Sequence, residues 1–167
     1  MIFEDQISCF EPIARADARL LILGTMPSLK SLEQGFYYAH PRNAFWPIVS
    51  DILGEVLPGT AEEKRSMLLR HRIALWDVAH RCVRPGSLDS AIRDVEANDF
   101  AGLFARCTGI RRILFNGTAA ERLYKRHVGF MPQGCCSARM PSTSPAYTLE
   151  YERKREAWRD GMAEYYD

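Results

Sequence analysis

Leu20-Leu21-Ile22-Leu23-Gly24, running without a break into Thr25-Met26-Pro27-Ser28, is the stretch from which the architecture is read. Four consecutive branched aliphatic residues with no polar alternation predict a strand buried on both faces, as inside a parallel sheet. Glycine then lets the backbone turn, and proline removes one donor from the loop that follows. Residues 73–78 and 112–116 repeat the continuous apolar pattern, and residues 135–140 form a fourth, less continuous run. Between these runs lie helical patterns at 45–53, 61–70, 97–105 and 118–127, the last with Ala119, Ala120, Leu123 and Tyr124 at helical spacing. A closing helix is expected to set Tyr151, Trp158, Met162 and Tyr165 on one stripe, with Glu152, Arg153, Lys154 and Glu156 forming its solvated face. Strands alternating with helices imply a three-layer α/β sandwich, its central four-stranded, mostly parallel sheet flanked by helices. No internal repeat and no Pro/Gly/Ser linker divides the chain, so residues 1–167 read as a single domain.

Composition narrows the classes without choosing among them. Hydrophobic residues make up 47% and charged residues 26% of 167, an ordinary globular balance far from disorder or low complexity. Residues 1–13 carry Glu4, Asp5 and Glu11, with no basic start and no long apolar run, so neither a signal peptide nor a membrane helix is expected and the cytoplasm is. Cys9, Cys82, Cys107, Cys135 and Cys136 are odd in number and lack CxxC spacing, which argues against a zinc site, a disulfide framework or an iron–sulfur cluster. A net charge of +1 exerts no global pull on polyanions, so binding to nucleic acid has to come from a local face. Apart from Lys30, Lys64, Lys125 and Lys154 the basic residues are all arginine, the better fork for phosphate.

In open parallel sheets ligands bind beyond the carboxyl ends of the strands, which directs attention to residues 24–31, 76–80, 116–117 and 140–145. Gly24-Thr25-Met26-Pro27-Ser28 suits either a bare strand exit or a binding loop whose amides point outward. Phe36-Tyr37-Tyr38-Ala39-His40-Pro41-Arg42-Asn43-Ala44-Phe45-Trp46-Pro47 concentrates aromatics with an amide, an imidazole and a guanidinium, the side chains that sandwich an extruded base and read its edge. Phe45 and Trp46 read as core residues opening a helix with Asn43 as its N-cap, whereas Tyr38, His40 and Asn43 are not accounted for by packing alone. Met140-Pro141-Ser142-Thr143-Ser144-Pro145-Ala146 offers hydroxyls and loop amides for phosphates. Asp77 and Asn116, at strand ends, fit a base pocket or a cap and turn equally well. Asp89 fits a capping role, and His71, His80 and His127 fit the surface or packing better than a metal.

Residues 24–46 resemble, without a gap, the first active-site segment of the mismatch-specific uracil-DNA glycosylases, where Gly-x-Asn-Pro-Gly precedes Phe-x-His-Pro-x-Asn-x-Phe-Trp. In that family the loop asparagine orients the attacking water, and Met26 stands at its position here. This departure makes the chain similar to the hypoxanthine-DNA glycosylase branch of the uracil-DNA glycosylase superfamily, which pairs Gly-[Ser/Thr]-Met-Pro-[Ser/Gly] with Tyr-x-His-Pro-x-Asn. Residues 140–146 are similar to the Pro-Ser-x-Ser-Pro loop that closes the family's DNA-binding face, with Met140 where relatives carry His or Asn. Ala74-Leu75-Trp76-Asp77-Val78 with Cys82, Gly86-Ser87-Leu88-Asp89-Ser90 and Ile113-Leu114-Phe115-Asn116-Gly117 extend the match over most of the chain.

The resemblance implies a uracil-DNA glycosylase-like fold and a monofunctional glycosylase that hydrolyses the N-glycosidic bond of deaminated bases, hypoxanthine foremost. Asn43 is then the catalytic residue. Gly24, Thr25, Met26, Tyr38, His40, Asp77 and Asn116 form the base site, and Pro27, Ser28, Ser31, Ser142, Thr143 and Ser144 meet the DNA backbone. The expected partner is DNA containing deaminated bases, engaged by a monomer away from any membrane, with no metal and no cofactor. None of the four lysines falls in a nucleophile motif, so the expected product is an abasic site without strand cleavage. Two alternatives stay open: a uracil-directed enzyme of the same superfamily, and a lesion-binding module without turnover, the latter because Met26 and Met140 replace polar groups.

Overall fold

The computed structural model describes residues 5–163. In chain order it runs β1 (Gln6–Ser8), β2 (Leu20–Gly24), α1 (Leu29–Gln34), α2 (Phe45–Ile52), α3 (Ala61–Arg70), β3 (Ile73–Asp77), β4 (Ala79–Val83), β5 (Arg93–Ala97), α4 (Phe100–Arg106), β6 (Arg112–Asn116), α5 (Thr118–His127), β7 (Cys136–Met140) and α6 (Tyr151–Met162). The central sheet has the order β3-β2-β6-β7 and is parallel throughout. Its register, with Leu21 beside Ala74 and Ile113 and Leu23 beside Trp76 and Phe115, sorts alternate residues to opposite faces. Leu20, Ile22, Ile73, Leu75 and Leu114 meet α2, α3 and α6 through Phe45, Ile48, Met67 and Trp158. Leu21, Leu23, Trp76, Ile113 and Phe115 meet α4 and α5 through Phe100, Leu103, Ala120 and Tyr124. Helices on both faces explain why the first three runs are continuously apolar, whereas β7, at the sheet edge, is largely exposed.

Several boundaries and one whole layer differ from the sequence expectation. A second, antiparallel sheet of order β1-β4-β5 flanks the first, and β5 is Arg93-Asp94-Val95-Glu96-Ala97. The helix expected at 97–105 therefore begins at Phe100, because Asp99 accepts the Gly102 N–H at 2.9 Å and ends the extended segment. Leu53 closes α2 rather than continuing it, and Val78 links β3 to β4. On α6 the buried stripe is Lys154, Trp158, Gly161 and Met162, so Lys154 leaves the solvated face assigned to it, and Tyr151, expected inside, is exposed. Tyr165 lies outside the described residues. Among those residues no helix is long and apolar enough to cross a membrane, and no group of three or more His, Cys, Asp or Glu is placed to hold a metal.

Candidate active site

A cleft of about 740 Å³ opens at the carboxyl ends of β2, β3, β6 and β7. Its floor is built around Gly24. A Cβ there would lie 2.6 Å from Asp77 Oδ1 and 2.7 Å from the Tyr38 hydroxyl, so glycine is what lets both side chains close on the β2 exit. Asp77 is 3% exposed, and its Oδ2, like the buried Tyr38 hydroxyl, has no hydrogen-bond partner among the described residues. Leaving such a group buried and unpaired costs about 1–3 kcal/mol. Tyr38 also holds φ at +52°, with its ring stacked on Phe45 at 4.2 Å between centroids. A non-glycine residue in that region carries strain of about 1–3 kcal/mol, a cost that clusters at functional sites.

Burial, reinforced by the neighbouring Asp89 and partly offset by Arg84, pushes the Asp77 carboxyl up to about 7. Near neutrality it is thus poised between donor and acceptor. Burial, with Asp77 adding to it, raises the Tyr38 phenol well above its ordinary value, so the ring stays neutral.

The loop after β2 is fixed from below. The buried Arg84 guanidinium donates to the carbonyls of Pro27 at 2.7 Å, Gly86 at 2.8 Å and Met26 at 3.4 Å. Thr25 Oγ1 donates to Asp89 Oδ1 at 2.8 Å, and the Gly24 and Thr25 carbonyls accept from the amides of Val78 and Ala79. The Thr25 and Met26 N–H groups have no partner among the described residues and are left at the cleft. The Met26 side chain packs with Ala79 and Cys82, so only its backbone is offered. Ser28 and Ser31 are committed locally. Ser28 caps α1 by accepting the Ser31 N–H, and Ser31 Oγ accepts the Ala39 N–H at 3.0 Å, tying α1 to the Tyr38 segment.

Asn43 lines the cleft at the entrance to α2, where its Oδ1 accepts the Phe45 N–H at 2.9 Å. An amide oxygen has a second lone pair, so this bond leaves it able to hold a water. His40 is not among the cleft-lining residues, and its Nδ1 accepts the Arg42 N–H at 3.0 Å. Asn116 does line the cleft, and its amide is held by Thr143: Nδ2 donates to Oγ1 and Oδ1 accepts the N–H, both at 2.9 Å, which leaves one amide hydrogen and one lone pair over. Thr143 is buried as a result, leaving Ser142 and Ser144 as the half-exposed hydroxyls of that loop. From α6, Trp158 Nε1 donates to the Pro141 carbonyl, and Lys154 Nζ donates to those of Ser144 and Tyr147. The amino end of α5, with no side-chain cap, completes the wall through Gly117, Thr118 and Ala119 and turns its positive dipole end to the cleft.

The family described as the uracil DNA glycosylase superfamily matches residues 12–164. The chain belongs to the uracil DNA glycosylase superfamily. It is 43% identical over 112 residues, 66% of this chain and 71% of the relative, to a protein of Methanosarcina acetivorans named hypoxanthine DNA glycosylase. A protein of the same name from Methanosarcina barkeri is 37% identical over 109 residues, 65% of this chain and 69% of its own length. The solution NMR structure of a candidate uracil DNA glycosylase from Methanosarcina acetivorans superposes with a TM-score of 0.78 at 33% identity, covering 93% of this chain and 96% of the other.

The residues that the sequence reading did not assign to the site include Arg139 and Leu88, which line the cleft, and Arg84, which holds its loop from behind. Arg139, one residue before the end of β7, lines the cleft with its side chain half exposed and 3.8 Å from Glu121. Arg84 opens the stretch Arg84-Pro85-Gly86-Ser87, and its buried guanidinium depends on carbonyls that no sequence pattern reveals. Leu88 stands exposed on the rim. For Arg139 the signal was available, because it sits at a strand's carboxyl end, where ligands bind.

Proposed function

We propose that this superfamily member is a monofunctional glycosylase that removes hypoxanthine from deoxyinosine in DNA, working as a monomer. The carrying observation is the cleft floor, where an aromatic ring, its hydroxyl and the Asp77 carboxyl converge on Gly24, the hydroxyl and one carboxyl oxygen having no partner among the described residues. Unspent donors and acceptors beside an aromatic face suit a base taken out of the stack and read on its edge. Hypoxanthine presents an N–H and a carbonyl side by side, and the Asp77 carboxyl, the Tyr38 hydroxyl and the Thr25 and Met26 amides supply both kinds of complement. The naming of the two Methanosarcina relatives as hypoxanthine DNA glycosylases supports the same reading.

In the reaction the bond between C1′ and the base nitrogen breaks with its electron pair leaving on the base, and water adds to C1′ with loss of a proton. Asn43 orients that water through its oxygen while holding α2 in place. An amide is too weak a base to do more. The amides of Thr25 and Met26, and the proton on Asp77 while that carboxyl is neutral, accommodate charge on the departing base. Ser142, Ser144, Arg139 and the amino end of α5 meet the phosphates. The five cysteines, of which Cys82 and Cys107 are buried and unpaired, fit the reducing cytoplasm.

The test is incubation of the purified protein with duplexes carrying one hypoxanthine or one uracil, followed by alkali and gel separation. Alkali-dependent nicks at hypoxanthine, lost in Asn43→Ala, are expected. Preferential nicking at uracil would make it uracil-directed, and tight lesion binding without nicks would leave a binding module.

A further inference from the structure

The Arg84 guanidinium is only 4% exposed, and it is answered by carbonyl oxygens alone, those of Met26, Pro27 and Gly86. Among the described residues no carboxylate stands within ion-pair distance of it. Burial raises the Asp77 and Asp89 carboxyls and the Arg84 charge offsets part of that rise, so both feel the cation without pairing with it. A buried charge that lacks a carboxylate partner is costly.

The carbonyls of four consecutive residues are fastened by groups on or beside β4. Gly24 accepts the Val78 N–H at 2.9 Å, Thr25 accepts the Ala79 N–H at 3.1 Å, and Met26 and Pro27 accept Arg84 Nη1 and Nη2 at 3.4 and 2.7 Å. A trans peptide points its N–H away from its own C=O, so these bonds turn the Thr25, Met26 and Ser28 N–H groups the other way. Pro27 has no N–H to turn. None of the three amides has a partner among the described residues, and all three residues line the cleft.

We propose that Arg84 is a positioning residue for glycosidic cleavage, its fork locking the Pro27–Ser28 peptide so that the Ser28 N–H joins those of Thr25 and Met26 in facing the departing base. Its charge, behind the same peptides, favours the anion that forms in front of them. The benefit arises as the bond breaks, so Arg84 speeds the chemical step more than it tightens binding. This role rests on the glycosylase reading, from which its test is separable.

Single-turnover cleavage of a hypoxanthine duplex, affinity for the same duplex carrying a non-cleavable 2′-fluoroarabino nucleotide, and thermal melting are measured for wild type, Arg84→Gln and Arg84→Lys. Arg84→Gln still donates to a carbonyl but carries no charge, and it is expected to cleave about a hundredfold more slowly while binding within about threefold of wild type. Arg84→Lys keeps the charge without the planar fork and is expected to recover about tenfold of that loss. A glutamine variant that cleaves like wild type, rate and affinity falling in parallel, or a lysine variant no faster than the glutamine one overturns the role. A second measurement needs no variant to fold: in isotope-labelled wild type, the Thr25, Met26 and Ser28 amide resonances are expected to shift together on binding the non-cleavable duplex. A Ser28 resonance that stays in place overturns the role as well. Should wild type cleave no hypoxanthine duplex while all three resonances shift, the glycosylase reading fails and the aiming of the amides stands.

Discussion

At Gly24 a single methyl group separates two outcomes. Gly24→Ala drives a Cβ into Asp77 Oδ1 and the Tyr38 hydroxyl, and Tyr38 has little room to yield because its ring lies on Phe45. Overpacking of this kind costs about 1–3 kcal/mol. We expect thermal stability to fall by that amount and deoxyinosine cleavage to fall much further, read by melting and single-turnover kinetics on one preparation. Asn43 holds the Phe45 N–H and, in the function we propose, the water, and its substitutions separate the two. Asn43→Ala forfeits the Phe45 N–H bond, a loss on the order of 1 kcal/mol, as well as the water. Ala44 is the N-cap of α2 and Asn43 bonds the Phe45 N–H from outside it, so Asn43→Ser, which keeps an oxygen there but places it differently, should fold like wild type and still cleave orders of magnitude more slowly. Wild-type cleavage by Asn43→Ser removes the catalytic assignment. Asp77 makes stability depend on pH. Its carboxyl, raised by burial to about 7, retains a proton in the folded protein that the unfolded chain releases near pH 4. The folded state binds more protons across that window, so this group's contribution declines as pH rises from about 4 to about 7 and then levels off. Asp77→Asn abolishes the decline, and its gain in urea midpoint should be larger at about pH 8 than at about pH 5.

At the scale of elements, α6 does more than cover the sheet. Trp158 and Lys154, one turn apart, reach the carbonyls of Pro141, Ser144 and Tyr147 and so set the shape of the loop after β7, while Asn116 from β6 grips its centre. Burial lowers the Lys154 ammonium from its ordinary value, and it stays inside because both carbonyls accept from it. Lys154→Met keeps much of the side-chain volume but leaves those carbonyls unpaired, at a cost of about 1–3 kcal/mol. Weaker affinity for lesion-bearing and undamaged duplexes alike is the expected result, because a loose loop misplaces Ser142 and Ser144. A loss confined to lesion DNA would instead tie the loop to the base pocket. The misreading of Lys154 as solvated shows a limit of helical periodicity: residues 154, 158 and 162 share one face, but only the carbonyls of a distant loop make that face hospitable to an ammonium. The second sheet was hidden for a related reason. Arg93-Asp94-Val95-Glu96-Ala97 is mostly exposed and its pairing with β4 is irregular, with Asp94 at φ +55°, so it carries no clean alternation.

Across the whole molecule a net charge of +1 leaves DNA attraction to the cleft face, where Arg139 and the α5 amino end lie. Affinity for undamaged duplex should decline with salt, and Arg139→Ala should reduce the log–log slope by about one phosphate contact. An unchanged slope would place the backbone contacts elsewhere. The parallel sheet, its helices and the segments that end at the cleft followed from the sequence, because burial on both faces demands unbroken apolar runs such as Leu20 to Leu23 and because loops after parallel strands converge on one edge. The resemblance carried by residues 24–46 and 140–146 pointed to segments that line the same cleft, by the same logic of short, contiguous stretches. What side chains do inside the cleft was decided only by tertiary structure. Asn116 and Thr143 bond to each other, His40 falls outside the lining, Arg84 goes inside, and Asp77 Oδ2 and the Tyr38 hydroxyl are left without a partner among the described residues. Each outcome depends on which distant backbone or carboxyl lies within about 3 Å, the reach of a hydrogen bond. A linear pattern fixes the face on which a residue lies, whereas its partner is set by how the layers pack.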